Sequence, residues 1–486
     1  MMDTSPDTAR PEALVAEFLS EFRATGDYRR DCVARLTALA TGDDSRAAEA
    51  ATKVLFASLV ERLADSFSPA DVSLYNHVFA QVIEHCRRLG GGGAVDAALH
   101  RFGLRDEAAL LGRAESLRRK RTIRRSRSAG VRRVVVLSRV TLGADVAITS
   151  VVISRLEHEF PGAEIVLVGG RKAAELFGGN RRVLFKEIHY RRAGRTLERV
   201  LSWLAVTEAA REMTAGLSPD EWLIVDTDSR LTQLGLLPLT EHEANYLFFP
   251  SREYGATTDR ALGQLAAAWL DEVFDAPRPT LPGVSLRPAD IQAASLLTKR
   301  LRQSGGRPLV TVNFGVGGNP AKRVSDEFEQ SLVAQMIRDG ATVILDKGAG
   351  ADEARRGDAV IAYARREAGA SVSELTESHF VETLNRMRDT RLVVWDGGVG
   401  RLAALIAQSD FYVGYDSAGQ HIAAAAGTPG VTVFAGYSSP RMLDRWRPTG
   451  SAASHIIAVD PSRAVDAGEI LSATLAALHH YANDHP

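Results

Sequence analysis

The chain has 486 residues, 45% of them apolar, enough for two to four domains with large cores. Lys and Arg total 59 against 60 Asp and Glu, a formal net charge of −1, so no global attraction toward nucleic acid or an acidic membrane exists and any such attraction must be local. The only cysteines, Cys32 and Cys86, fall in predicted helices, which argues against a disulfide or cysteine–zinc framework and fits a reducing compartment. The N-terminal residues lack a basic-then-apolar leader, and no apolar run reaches the roughly 18–20 residues of a membrane span, so a cytoplasmic protein is expected.

Residues 1–117 read as a helical domain. Ser68-Pro69-Ala70-Asp71 has the form of a capping box with Pro at the first helical position. Val72, Tyr75, Phe79, Val82, Ile83 and Cys86 then follow at helical spacing, and Val54, Leu55, Leu59 and Leu63 make a similar stripe. No catalytic constellation is visible in this segment. His77 and His85 read as packing or surface residues, and the segment as a scaffold or partner-binding module.

Residues 118–133 form a basic run without interleaved aromatics. A solvated linker is the favoured reading. A patch for anionic lipid head groups at the inner membrane face is the alternative. Nucleic acid ranks last, because no stacking residue or docking motif accompanies the charge.

From Val134 the pattern turns α/β. A strand over 134–137, a turn over 138–145, a helix carrying Ile148, Val152 and Leu156, and a strand within 163–170 make a βαβ unit. A further strand over 222–225 ends in Asp226-Thr227-Asp228, and 246–250 reads as another. A helix starting near Pro288 bridges to a second α/β region. There, strand 309–314 runs into a Gly-rich loop containing Gly315, Gly317, Lys322 and Arg323, followed by a helix over 327–338 and strands over 342–345 and 392–395. The expected division is a first lobe over 134–290 and a second over 291–486, closed by a helix over 467–481. Two successive parallel-sheet lobes imply a cleft between them.

Residues 411–436 organise the second lobe. A buried strand (411–413), a polar turn (414–420), an Ala-rich helix (421–426) stopped by Gly427-Thr428-Pro429, and a second strand from 431 follow one another. A helix N-terminus after a parallel strand presents free N–H groups and a positive dipole end, which suits a phosphate.

Asp416-Ser417-Ala418-Gly419-Gln420-His421-Ile422-Ala423-Ala424-Ala425 resembles the D-(T/S)-G-x-x-H-x-A-A-A element of glycosyltransferase family nine, the heptosyltransferase family. RVTLGADVAITSV, over 139–151, aligns without gaps to that family's start, which resembles RLDRIGDVVLTTP. The resemblance spans roughly 132–460. Both elements depart from the family pattern by one place: Ala144 stands where the family has Gly, with Gly143 just before it, and Ala418 likewise, with Gly419 just after. The resemblance implies a GT-B fold of two Rossmann-like lobes. It implies inverting transfer of a sugar from a nucleotide-diphospho donor, such as an ADP-heptose, to a hydroxyl of a lipopolysaccharide core or other cell-surface glycan. The donor would lie on the second lobe and the acceptor on the first.

Under that reading Asp145 is the candidate base, with a helix N-cap as the bland alternative. Lys322, with Arg323, would neutralise the departing diphosphate. Ser417, Ala418, Gly419 and Gln420 would offer backbone N–H groups, Asp416 would order the turn or bind the sugar, and His421 would donate to a phosphate or pack as a core histidine. Arg139, Asp228, Arg230, Arg252 and Tyr254 are weaker candidates for the acceptor side. No metal or other cofactor is expected. The D-x-D at 226–228 is nonetheless the motif by which single-lobed transferases hold a divalent cation. Two rival functions remain: a nucleotide-sugar epimerase or hydrolase of the same form, and a non-catalytic nucleotide-binding scaffold.

Overall fold

A computed structural model describes residues 10–119, 122–123, 130–191, 193–303, 307–460 and 462–484. Two all-parallel sheets carry it. The first has the order β3-β2-β1-β4-β5, formed by β1 (Arg133–Leu137), β2 (Glu164–Gly169), β3 (Val183–Glu187), β4 (Trp222–Asp226) and β5 (Tyr246–Phe248). The second has the order β12-β11-β10-β6-β7-β9-β8. Its strands are β6 (Leu309–Asn313), β7 (Thr342–Asp346), β8 (Val372–Thr376), β9 (Leu392–Asp396), β10 (Phe411–Tyr415), β11 (Gly430–Phe434) and β12 (Ser454–Ala458). The helix Pro288–Arg302 bridges the lobes and Ala467–Asp484 closes the chain. This is the two-lobed GT-B form that the resemblance implied.

The two-residue period of a strand distributes the side chains among three apolar cores. Val134 and Val136 of β1, with Leu223 and Val225 of β4, face a core shared between the lobes; Leu309, Trp395 and Tyr412 enter it from the second sheet. The alternate residues Val135 and Leu137, with Trp222 and Ile224, face the opposite way. Val310, Val312, Val413 and Tyr415 face the outer helices of the second lobe.

The helices before β1 pack on the outer face of the first sheet. Phe18, Leu36, Leu59, Tyr75 and Phe79 share one core with Val135, Leu137 and Trp203. Buried Thr52 and Thr196 hydroxyls meet at 2.9 Å across this junction, and Arg113 Nε donates to Glu243 at 2.7 Å. Pro69 opens its helix as expected, but the capping box does not form: the Ser68 side chain makes no cap hydrogen bond, and Asp71 lies 3.5 Å from Arg23 instead. A side chain competing for Asp71 removes the box's second half.

Of the basic run at 118–133, residues 120–121 and 124–129 lie outside the described residues. Its described ends are tied to carboxylates of the first lobe, Arg118 to Glu253 and Arg132 to Glu221, and Ile123 N–H donates to Val273 O at 2.7 Å. Among the described residues no helix is long and apolar enough to cross a membrane.

Candidate active site

The carboxyl ends of both sheets converge between the lobes, as parallel sheets require of a ligand site. On the first lobe the chain leaves β1 through Ser138 and Arg139 and turns into a helix at Leu142. Asp145 lies in that first turn and is only 1% exposed. Its carboxylate accepts from Ser138 Oγ (2.7 Å), the Arg139 N–H (2.8 Å) and Thr149 Oγ1 (2.8 Å). Burial raises its pKa, opposed by these hydrogen bonds and by the Arg139 charge.

Beside it lies a buried polar network. Arg139 Nη1 donates to Ser251 Oγ at 2.9 Å and to Thr227 O; Ser251 Oγ donates to Asp228 Oδ2 at 2.7 Å; Arg252 Nη1 donates to the same oxygen at 2.6 Å. Burial would raise Asp228, but Arg252 and Arg139 outweigh it and hold the carboxyl below its usual value. Asp226 accepts from Thr232 and Tyr246 hydroxyls, both at 2.5 Å, and from the Ser229 N–H at 2.7 Å. Both D-x-D carboxylates are thus engaged by donors of their own lobe. Val140, Asp228, Gln233 and Leu234 all have positive φ, 68°, 67°, 49° and 57°. For β-branched Val140 this is strain of order ~1–3 kcal/mol, the kind that accumulates at functional sites.

Arg230 stacks over the Tyr75 ring of the helical domain, 5.8 Å from its centroid. Tyr254 turns elsewhere: its hydroxyl donates to Glu272 at 2.8 Å, so it does not join Arg139, Asp228 and Arg252.

On the second lobe β10 ends at Tyr415, and the helix Ala418–Ala426 begins after the Ser417 N-cap, whose side chain makes no cap hydrogen bond. The first N–H groups of this helix are therefore left for another acceptor. Asp416 is buried and holds the turn together. Lys322 Nζ donates to its Oδ2 at 2.5 Å, and Gln420 Nε2 to its Oδ1 at 2.6 Å. Burial raises the Asp416 pKa, and Lys322 works against that rise. Lys322 remains partly exposed on the loop after β6, where Gly317 has φ 61°. Gly315 N–H donates to Asn313 Oδ1 at 3.1 Å and orders the start of this loop. Arg323, expected beside Lys322 as a phosphate ligand, pairs instead with Glu329 at 2.8 Å and with Asp326. Two carboxylates within one turn of the following helix take up its charge.

His421 is 4% exposed, with its ring edge-on to Trp446 at 6.1 Å. Burial, with Lys322 nearby, pushes its pKa down to about 3, so the imidazole is neutral. The two glycines displaced from the family pattern each serve a close approach. A Cβ on Gly143 would stand 3.1 Å from His421 Cδ2 and 3.3 Å from Ala418 Cα, so the turns of the two lobes touch here. A Cβ on Gly419 would stand 2.1 Å from the Tyr412 hydroxyl.

Asp145, Gly143, Lys322, Asp416 and the helix after Ser417 are therefore gathered at one junction. Sequence reasoning missed Ser138 and Thr149, which hold Asp145, and the turn Asp65-Ser66-Phe67, which the helical domain inserts beside the second lobe. Ser138 was findable from the short spacing to Asp145; nothing in the sequence marked the inserted turn.

Residues 270–467 match the family model described as glycosyltransferase family 9 (heptosyltransferase). Among solved structures it is similar to a family 9 glycosyltransferase from Veillonella parvula DSM 2008 (17% identity, 68% of this chain and 86% of that one, TM-score 0.46). It is also similar to E. coli ADP-heptose lipopolysaccharide heptosyltransferase II (16%, 73% and 100%, TM-score 0.47) and to E. coli heptosyltransferase WaaC with ADP (14%, 73% and 100%, TM-score 0.45). No curated protein sequence matches the chain.

Proposed function

We propose that this chain is a glycosyltransferase that moves a sugar, with inversion, from a nucleotide-diphospho donor held on the second lobe to an acceptor hydroxyl presented by the first. The observation that carries the reading is the uncapped N-terminus of the helix Ala418–Ala426 with Lys322 beside it, facing the Asp145 turn across the junction. Aligned N–H groups and a lysine stabilise charge as it develops on a departing diphosphate.

Asp145 is the proposed base. Its raised pKa makes it a better proton acceptor than an ordinary carboxylate, and its three donors fix its orientation. The lobes must part slightly to admit an acceptor, because Asp145 is covered while Gly143 touches His421. Neutral His421 would donate a hydrogen bond without adding charge. Arg139, Asp228 and Arg252 are proposed to shape the acceptor wall. ADP-heptose as donor and a cell-surface glycan precursor as acceptor are the finer proposals, with the basic run at 118–133 as a peripheral membrane contact.

The test is turnover of ADP-heptose and other nucleotide sugars by the wild-type chain, Lys322→Ala and Asp145→Ala. Release of nucleoside diphosphate by the wild type and its collapse in both variants is expected. Wild-type rates in both would remove the assigned mechanism.

A further inference from the structure

Residues 440–451 of the second lobe reach three parts of the molecule at once. The helix Pro440–Trp446 carries Arg445, only 2% exposed. Its guanidinium crosses to the first lobe: Nη1 donates to Arg260 O at 2.5 Å and Nη2 to Gly255 O at 2.6 Å. One turn earlier, Arg441 donates to the Phe67 carbonyl of the helical domain at 3.1 Å. Phe67 is buried and packs on Trp446, ring centroids 6.2 Å apart. Beyond the helix the fit is equally close. A Cβ on Gly263 of the first lobe would stand 2.7 Å from Thr449 Oγ1, and one on Gly450 would stand 2.0 Å from Ala424 O of the donor helix.

Arg445 and its neighbour Trp446 serve opposite walls of the junction. Arg445 holds the loop over 255–260. Just before that loop, Ser251 and Arg252 hold Asp228 beside Arg139, whose N–H in turn holds Asp145. Trp446 lies edge-on to His421, and its carbonyl accepts from Gln420 Nε2 at 3.4 Å; the same nitrogen donates to Asp416. Two adjacent residues thus set the acceptor wall and the donor turn in one frame. A docking surface alone would need no charge there, since a buried cation is costly unless its N–H groups find acceptors. The planar guanidinium fork meets that demand with two carbonyls of one loop, and only while the lobes are together.

The contact also fastens the free edge of the cleft. At the other edge the crossover helix Pro288–Arg302 joins the lobes, and the Gly400 N–H, just after β9, donates at 3.0 Å to Glu175 Oε2 on the helix leading into β3. Arg445 lies between β11 and β12 and meets the loop after β5, at the opposite edges of both sheets.

We propose that Arg445 is a positioning residue for the transfer: it fastens the free edge of the cleft and sets the acceptor wall at its working distance from the donor turn. The inference rests on the nucleotide-sugar reading above. Arg445 acts through the loop over 255–260 rather than on the diphosphate, so its loss falls on turnover and spares donor binding. A misplacement of about 1 Å between reacting groups is enough to lower a rate roughly 10²-fold.

The experiment compares the full-length wild type with Arg445→Lys, Arg445→Met and Arg445→Ala. Each also carries Glu241→Cys and Val465→Cys, exposed positions on the two lobes, for spin labels; Cys32 and Cys86 are buried, so the labels go to the introduced sites. Pulsed electron resonance should give a longer and broader distance between labels in Arg445→Met than in the wild type, with Arg445→Lys between them. The kcat for ADP release from ADP-heptose should fall roughly tenfold to a hundredfold in Arg445→Met, while KM for ADP-heptose and the calorimetric Kd for ADP stay within about threefold. Millimolar guanidinium should restore part of both the distance and the rate in Arg445→Ala. A lower melting temperature with unmoved labels in folded Arg445→Met and Arg445→Ala, or weakened ADP binding that explains the whole loss of turnover, would overturn the proposal and leave the nucleotide-sugar reading intact. Failure of the wild type to turn over ADP-heptose or any other nucleotide sugar would instead overturn that reading, and the positioning role with it.

Discussion

Gly143 and His421 belong to different lobes, yet a single methyl on Gly143 would come within 3.1 Å of the imidazole. The junction between the Asp145 turn and the donor turn is thus closed to the width of one hydrogen atom on a Cα. Gly143→Ala should hold the lobes apart without disturbing either sheet. Steady-state turnover should fall at least tenfold, and calorimetric titration should show ADP affinity falling too, by less, because the methyl presses on His421 and Ala418 of the donor turn and the contacts need only a few tenths of an ångström of relief.

Lys322 and Asp416 form a pair at 2.5 Å in which Asp416 is almost fully buried. Lys322→Ala should weaken ADP roughly tenfold or more, the cost of a lost charge-assisted contact. It should also destabilise the lobe, because a buried carboxylate is left with less compensation. Adding Asp416→Asn should recover melting temperature without recovering ADP affinity. Calorimetry and thermal melts on the four members of this cycle check both effects.

Asp145→Asn should lower turnover by roughly 10²–10⁴-fold, the span typical of a lost general base. Its folded pKa is raised, so the active, deprotonated form is present above that value and activity falls as pH drops through it. The linked stability has the opposite sense. The folded state binds the extra proton, so this group favours folding below its ordinary pKa, and that contribution is lost as pH rises through the raised value. A pH–rate profile and a pH series of melts measure the two.

His421 carries the converse sign. Its pKa is depressed to about 3, so the unfolded chain binds the proton more readily below about pH 6.5. The stability from burying the neutral ring is complete above that pH and is lost as pH falls toward 3. His421→Gln should flatten part of this acid limb, as chemical denaturation at several pH values would show. The pH–rate profile should contain no histidine limb near 6.5.

Much of the frame was legible because parallel strands buried on both faces read as apolar runs, as 134–137, 309–314 and 411–413 do. The helix start at Pro288 and the polar turn before the Ala-rich helix announced themselves through proline, glycine and helix propensity. The edge strands β3, β8 and β12 were not legible, since Leu184, Phe185, Glu187, Glu374 and His455 mix exposed and polar residues into them. The donor turn could be placed by its motif, but Arg323 could not be removed from it, because the carboxylate that takes its charge, Glu329, is visible only once the next helix is folded. Least legible was the turn at Asp65-Ser66-Phe67. Its position depends on how a helical domain docks on a sheet beginning nearly seventy residues later, and no local spacing encodes that.

On the proposed function, main-chain amides at the start of the helix Ala418–Ala426, with Lys322, hold the diphosphate of a nucleotide sugar. Hydrogen–deuterium exchange with and without saturating ADP tests it most directly. Exchange should slow only in the segments around 416–421 and 315–323. Slowed exchange confined to the first-lobe loops at 138–145 and 226–230, or no change at 416–421, would contradict it.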